Sequence, residues 1–255
     1  MSAAALTAVP ATGRDARPGL GRLTLVELRK MTDTRAGFWL QLAIAALTAV
    51  IVIVIAIWGD EPDKDFRSLL GAAIQPASIL GPIVGVLLVS SEWSQRTAQI
   101  TFTLVPRRSR VMGAKLLAGI AWCAVAFAAS LVAAAIGTAA AGLPDAWSMP
   151  AALLFQDALY VVVSMLGGIA FGAALLASAP AIVLYFVLPI AWSIVGSIAA
   201  LEGAARWLDG GRALSPMIED TLSGTQWARA LTTLAVWVLL PLLIGLWRIT
   251  RGEVR

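Results

Sequence analysis

Six apolar runs, each long enough at a rise of about 1.5 Å per residue to cross a hydrocarbon core about 30 Å thick, constrain this chain more than any other feature. They cover residues 38–58, 69–90, 116–140, 152–177, 180–200 and 230–247. A soluble domain has no place to hide that much apolar length, whereas lipid accepts it provided each segment satisfies its own backbone N–H and C=O groups, as a helix does. Composition points the same way: 59% of the 255 residues are apolar and 13% charged, against about a quarter charged in soluble domains. The expected fold is therefore all-α and integral to a membrane, with six transmembrane helices.

The joins between the runs set the topology. Only Ser178 and Ala179 separate the fourth run from Pro180, and proline disfavours helix at the residue before it, which predicts a tight hairpin there. Tryptophan prefers the headgroup level, so Trp39 and Trp58 read as anchors bracketing the first run, and Trp227 and Trp247 as anchors bracketing the last. Trp122, Trp192 and Trp237 lie within runs and are expected to fill space. An inside N-terminus places Arg14, Arg17, Arg22, Arg29, Lys30, Arg35, Arg96, Arg107, Arg108, Arg110, Lys115, Arg248, Arg251 and Arg255 in the cytoplasm. It leaves Lys64, Arg67, Arg206, Arg212 and Arg229 outside. That bias obeys the positive-inside rule and predicts both ends in the cytoplasm of a multi-pass protein. The net charge of +4 is then topological, and no nucleic-acid partner is implied. Residues 1–21 read as a flexible Ala/Pro/Gly-rich tail rather than a cleaved signal, because the first apolar run begins at Phe38 and is too long for one. Residues 22–255 form a single transmembrane domain. The segment 201–229, which mixes apolar side chains with charges and paired glycines, suits short helices at the outer surface or a solvated loop.

Several chemistries lack their residues. Histidine is absent and Cys123 is the one cysteine, which removes the commonest metal ligand, the commonest general base and any intramolecular disulfide. No GxxxxGK[ST] phosphate loop occurs, so this chain is not expected to hydrolyse nucleotide itself or to hold a cofactor or metal. Within the spans, Gln75 and Pro76 interrupt the second run, and Gln75 is a candidate for lining a path, with an interhelical hydrogen bond as its ordinary role. The spacings Gly81 to Gly85 and Gly168 to Gly172 permit close helix approach. Gln156 and Asp157 fall near the outer end of the fourth run, where a carboxylate reaches the interface at modest cost.

The connection between the second and third runs is the most informative stretch. Trp93, Thr97, Ile100 and Leu104 share one helical face, Glu92 and Arg96 are spaced for an i,i+4 pair, and Pro106 ends the helix before the basic turn of Arg107, Arg108 and Arg110. A basic juxtamembrane segment also suits anionic lipid.

Together with Leu25-Val26-Glu27-Leu28-Arg29-Lys30 and Arg35 before the first run, this stretch, closed by Lys115, resembles the permeases of bacterial ABC transporters of the type 2 exporter class. The resemblance implies a membrane subunit, in the bacterial cytoplasmic membrane, that pairs with a second permease copy or a homologous one. Cytoplasmic ABC ATPase subunits would supply ATP and magnesium. It also implies an interfacial helix over residues 27–35 (Glu27, Arg29, Lys30, Arg35), a coupling helix over 92–104 leading to Pro106, Arg107, Arg108 and Arg110, and short outer helices before the last span. The expected function is export of a hydrophobic or amphipathic compound such as a drug, antibiotic, lipid or peptide. An ion-gradient-driven transporter and a non-transporting scaffold or immunity protein are the rivals.

Overall fold

A backbone in hydrocarbon finds no water to bond, so each apolar run closes its own i to i−4 ladder and the places where a ladder breaks define the architecture. The computed structural model describes residues 19–95 and 107–251, and among these every regular element is a helix. Helix α1 (Leu20–Asp33) stops at Thr34, whose extended backbone and side chain cap α2 (Arg35–Trp58) by accepting from Gly37 N at 3.1 Å. A Cβ on Gly37 would run into the Met31 carbonyl, so the α1–α2 corner requires glycine there. Arg35, expected in the interfacial helix, instead begins α2, because the break falls one residue before it.

After a 3-10 turn at Glu61–Lys64, α3 (Phe66–Ala73) and α4 (Gln75–Ser94) share one span. Their join lies where Pro76 removes a backbone donor. The Ala73 carbonyl beside it accepts from Thr48 Oγ1 and Ser130 Oγ, both at 3.2 Å, so hydroxyls from two neighbouring spans satisfy the backbone at the break. Helix α5 (Arg108–Ala141) ends at Gly142, whose φ of 65° is the left-handed cap that glycine adopts freely. Helices α6 (Ala151–Leu175) and α7 (Ser178–Val195) meet at Leu176 and Ala177. The hairpin thus lies just ahead of the expected residues, and Pro180 sits in the first turn of α7, where a missing N–H costs little. Three short helices follow, α8 (Glu202–Leu208), α9 (Gly210–Leu214) and α10 (Pro216–Glu219). The last span comprises α11 (Gly224–Leu234), a π turn at Ala235–Leu239 and α12 (Leu240–Arg251).

Six helical segments are long and apolar enough to cross a membrane, one for each apolar run. They differ sharply in position. The apolar windows of the α3–α4 and α6 spans are 67 and 61% buried within the chain, against 17% for α2 and 6% for α7, so the second and fourth spans form the centre and α2 and α7 the rim. The central pair approach at glycines: Gly85 faces the Met165 carbonyl, Gly168 the Pro82 backbone and Gly172 the Val86 backbone. Of the expected close-packing positions, Gly81 differs by facing the Trp122 ring, which makes that ring a space filler as its place in the run suggested. Trp39, Trp58 and Trp247 are exposed at span ends.

Candidate functional site

Burying a lysine in an apolar bundle requires carboxylates, and α1 and the end of α4 supply one each. Lys115 lies in the second turn of α5 with 5% of its side chain exposed. Its ammonium donates to Glu27 Oε2 at 2.7 Å, Glu92 Oε1 at 3.1 Å and the Leu88 carbonyl at 2.9 Å, which uses all three of its protons. Lys30, 42% exposed, donates to Glu27 Oε1 at 2.8 Å and to Glu92 Oε1 at 2.7 Å. The charges alternate around a closed circuit, Lys115, Glu27, Lys30, Glu92, and cancel. Burial works against the charge on Lys30, but hydrogen bonds and attraction from Glu27 and Glu92 outweigh it and hold the ammonium above its usual pKa of 10.5.

The circuit joins three elements. Glu27 and Lys30 stand one turn apart on α1, Glu92 is in the last turn of α4, and Lys115 is on α5. It therefore clamps α1 against the two helices that flank residues 96–106. A cleft of about 450 Å³ opens beside it, lined by Lys30, Thr34, Leu87, Leu88, Glu92 and Gln95 among others. At the same end of the bundle Arg108 donates to the Ile249 carbonyl at 2.8 Å, and the hydroxyls of Ser90 and Ser178 lie 2.9 Å apart. Arg248 reaches the Ala174 carbonyl. The first of these contacts sets a cation on the carbonyl end of α12, where the helix dipole favours it.

Compared with known proteins, the chain matches no family model and no curated sequence.

The residues singled out in the sequence divide into groups. Glu27, Lys30 and Glu92 come together although 62 residues separate the last two. Glu92 and Trp93, expected on a separate coupling helix, are the end of α4, with Glu92 turned inward and Trp93 packed against the core. Arg29 and Arg35 are exposed, as is Arg107, which caps α5, while Arg108 and Arg110 are half-buried in its first turn. Arg96, Thr97, Ile100, Leu104 and Pro106 lie outside the described residues. Gln75 and Pro76 start α4 and Glu92 lies in its last turn, about 25 Å away at a helical rise. The Gln75 amide donates back to the Gly71 carbonyl at 3.3 Å, and the residue lines a separate polar cleft with Asp65, Arg67 and Glu219.

Lys115, in the sequence both a topological cation and the close of the cytoplasmic stretch, is the buried centre of the circuit. The signal was present: Val111-Met112-Gly113-Ala114 precede it and Leu116-Leu117 follow, and a lysine inside such a run needs a carboxylate. Gln156 was underread. Its amide donates to the Met217 and Asp220 carbonyls at 3.0 and 2.8 Å and accepts from Leu222 N at 3.0 Å, fastening α10 and the residues after it to α6.

Proposed function

We propose that this chain is the membrane-spanning permease of an ATP-driven exporter of the ABC type 2 class. It would sit in a bacterial cytoplasmic membrane with both ends inside and move a hydrophobic or amphipathic compound outward. The observation that carries the reading is the buried circuit of Glu27, Lys30, Glu92 and Lys115, which makes α1 and both stems of residues 96–106 one mechanical unit. A cytoplasmic ATPase pressing on that segment moves α4 and α5 together instead of bending either alone. Since α4 packs glycine-to-backbone against α6, the displacement passes to the centre of the bundle. ATP and magnesium stay on the ATPase, a second permease copy or homologue completes the path, and two states are favoured in turn by differential contact with the ATPases.

The test is reconstitution in lipid together with a cytoplasmic ABC ATPase that co-purifies with the chain, the absence of any such ATPase counting against the class. Lys30→Met and the charge reversal of Arg107 and Arg110 should leave the complex assembled while lowering the transport obtained per ATP hydrolysed. Unchanged coupling in both variants overturns the role of this end, and transport by the chain alone without ATP overturns the class.

One observation favours a second reading, ion-gradient-driven transport. Asp157 in α6 is 2% exposed, and its Oδ1 has no hydrogen-bond partner among the described residues, as expected of an acid kept in a span for use. Loss of gradient-driven flux in Asp157→Asn would favour that mechanism, and flux-free behaviour of the wild-type chain under a proton gradient excludes it.

A further inference from the structure

Helix α7 is held to the bundle near its start, where Ala181, the one fully buried residue of the helix, packs with Val86 and Phe171. Farther along, α7 borders a cleft of about 410 Å³ between α4, α6 and the last span, with α9 across one end. Its walls carry Tyr160, Phe171, Tyr185, Phe186 and Trp237. Tyr185 stands edge-on to both phenylalanines, at ring separations of 5.6 and 5.0 Å. Such edge-on sets present hydrogens and π faces to a further ring.

Two further features of these walls point to an occupant. Trp237 and Val238 belong to the π turn in the last span, a local widening that costs regular hydrogen bonding and concentrates at functional sites. There Trp237 Nε1 donates to the Leu208 carbonyl at 2.7 Å, which fixes the indole plane. The second is the half-buried Tyr160, a cleft residue whose hydroxyl makes no hydrogen bond to the described residues and so leaves a donor open to a ligand. Among the described residues no charged side chain lines the cleft, so an ion entering it would lose its hydration without a counter-charge. The exposed side chains of Ile79 and Ile190 lie at its margin. The volume falls within the range of about 300–1,000 Å³ of sites for small molecules.

We infer that this cleft is a binding site for an uncharged aromatic molecule bearing one hydroxyl or carbonyl group, which enters from the lipid past Ile79 and Ile190 and hydrogen-bonds to the Tyr160 hydroxyl. Binding is read directly, so the outcome does not depend on whether an ATPase drives the chain. The probe is a trifluoromethyl-phenyldiazirine bearing a hydroxymethyl group, photolysed with the full chain in lipid nanodiscs, and labelled residues are mapped by mass spectrometry against probe concentration. Saturable labelling on Tyr160, Phe186 or Trp237 is expected, with linear labelling on the exposed Val132 and Ile136. Ile190→Trp and Ile79→Trp plug the mouth from exposed positions and should each abolish the saturable component, whereas Ile53→Trp on α2 should not. Tyr160→Phe should weaken the hydroxymethyl probe about five-fold, the worth of one hydrogen bond, and leave the parent diazirine unaffected. Linear labelling throughout, as a cleft filled by lipid chains would give, overturns the site. Saturable labelling that survives both plugs overturns the route, and an equal effect of Tyr160→Phe on both probes overturns the hydrogen bond.

Discussion

Lys115 shows what a single side chain does in a bundle with so few charges. From its place on α5 its ammonium reaches Glu27, Glu92 and the Leu88 carbonyl together. Lys115→Met therefore leaves two buried carboxylates sharing Lys30, and removing one partner of a buried pair costs about 3–5 kcal/mol. Thermal unfolding in detergent should show this as a large fall in midpoint, and the doubly substituted Glu27→Met, Lys115→Met chain should recover part of it. If the double variant is as unstable as the sum of the singles, the two residues are not coupled. Lys30 adds a pH dependence whose sign is fixed. Its folded pKa lies above 10.5, so its contribution is complete below 10.5 and disappears as pH rises through the raised folded value. Unfolding midpoints recorded from pH 8 upward should fall less steeply at alkaline pH in Lys30→Met than in the wild type. The individual residues of this circuit were legible in the sequence as charges near span ends. Their meeting was not, because three partners come from parts of the chain separated by as many as 88 residues, and spacing rules read only within one helix.

At the scale of elements, packing between α4 and α6 rests on glycines whose missing side chains are filled by the neighbour's backbone. Gly168→Ala would drive a methyl into the Pro82 carbonyl, and overpacking of this kind costs about 1–3 kcal/mol. Gly113, in α5, has nothing within 4 Å of an added Cβ, so Gly113→Ala should be neutral or stabilising by up to about 1 kcal/mol through helix propensity. Unfolding midpoints of the two variants should move in opposite directions or differ by the whole packing cost. The break between α3 and α4 offers a companion measurement. Thr48→Val or Ser130→Ala alone leaves the Ala73 carbonyl one partner, whereas the pair leaves it none, so the double variant should lose about 1–3 kcal/mol beyond the sum of the singles. Element existence was readable because six apolar runs each give one helical span. Element ends were less so. The α6–α7 turn uses Leu176 at φ 55°, a conformation that its sequence does not advertise, and α1 turns Glu27 and Met31 inward while Leu25 and Val26 stay exposed. A reader who assumes that apolar residues face the protein finds no clean stripe in α1, since the ion-paired face is the buried one.

For the whole molecule, the distribution of charge decides what the clamped end faces. Helix α1, the start of α5 and the end of α12 gather Arg22, Arg29, Lys30, Arg107, Arg108, Arg110, Lys115, Arg248 and Arg251 at one end, whereas the turn before α3 and helices α8 to α10 set Asp60, Glu61, Asp63, Glu202, Asp209 and Glu219 against only Lys64, Arg206 and Arg212 at the other. In the proposed orientation, retention of Lys and Arg on the cytoplasmic side keeps the circuit inside. Orientation is measurable because the chain has a single cysteine and Cys123 is buried. In a Cys123→Ala background, Ser109→Cys at the start of α5 and Gly203→Cys in α8 both place a thiol at an exposed position. A membrane-impermeant maleimide applied to intact cells should label the thiol at 203 and reach the one at 109 only after permeabilisation. The reverse pattern would put Glu27, Lys30, Glu92 and Lys115 on the outer side. A cytoplasmic ATPase could then touch neither stem of residues 96–106, and the exporter reading would fail at its mechanical step even if all six spans and the circuit itself were unchanged.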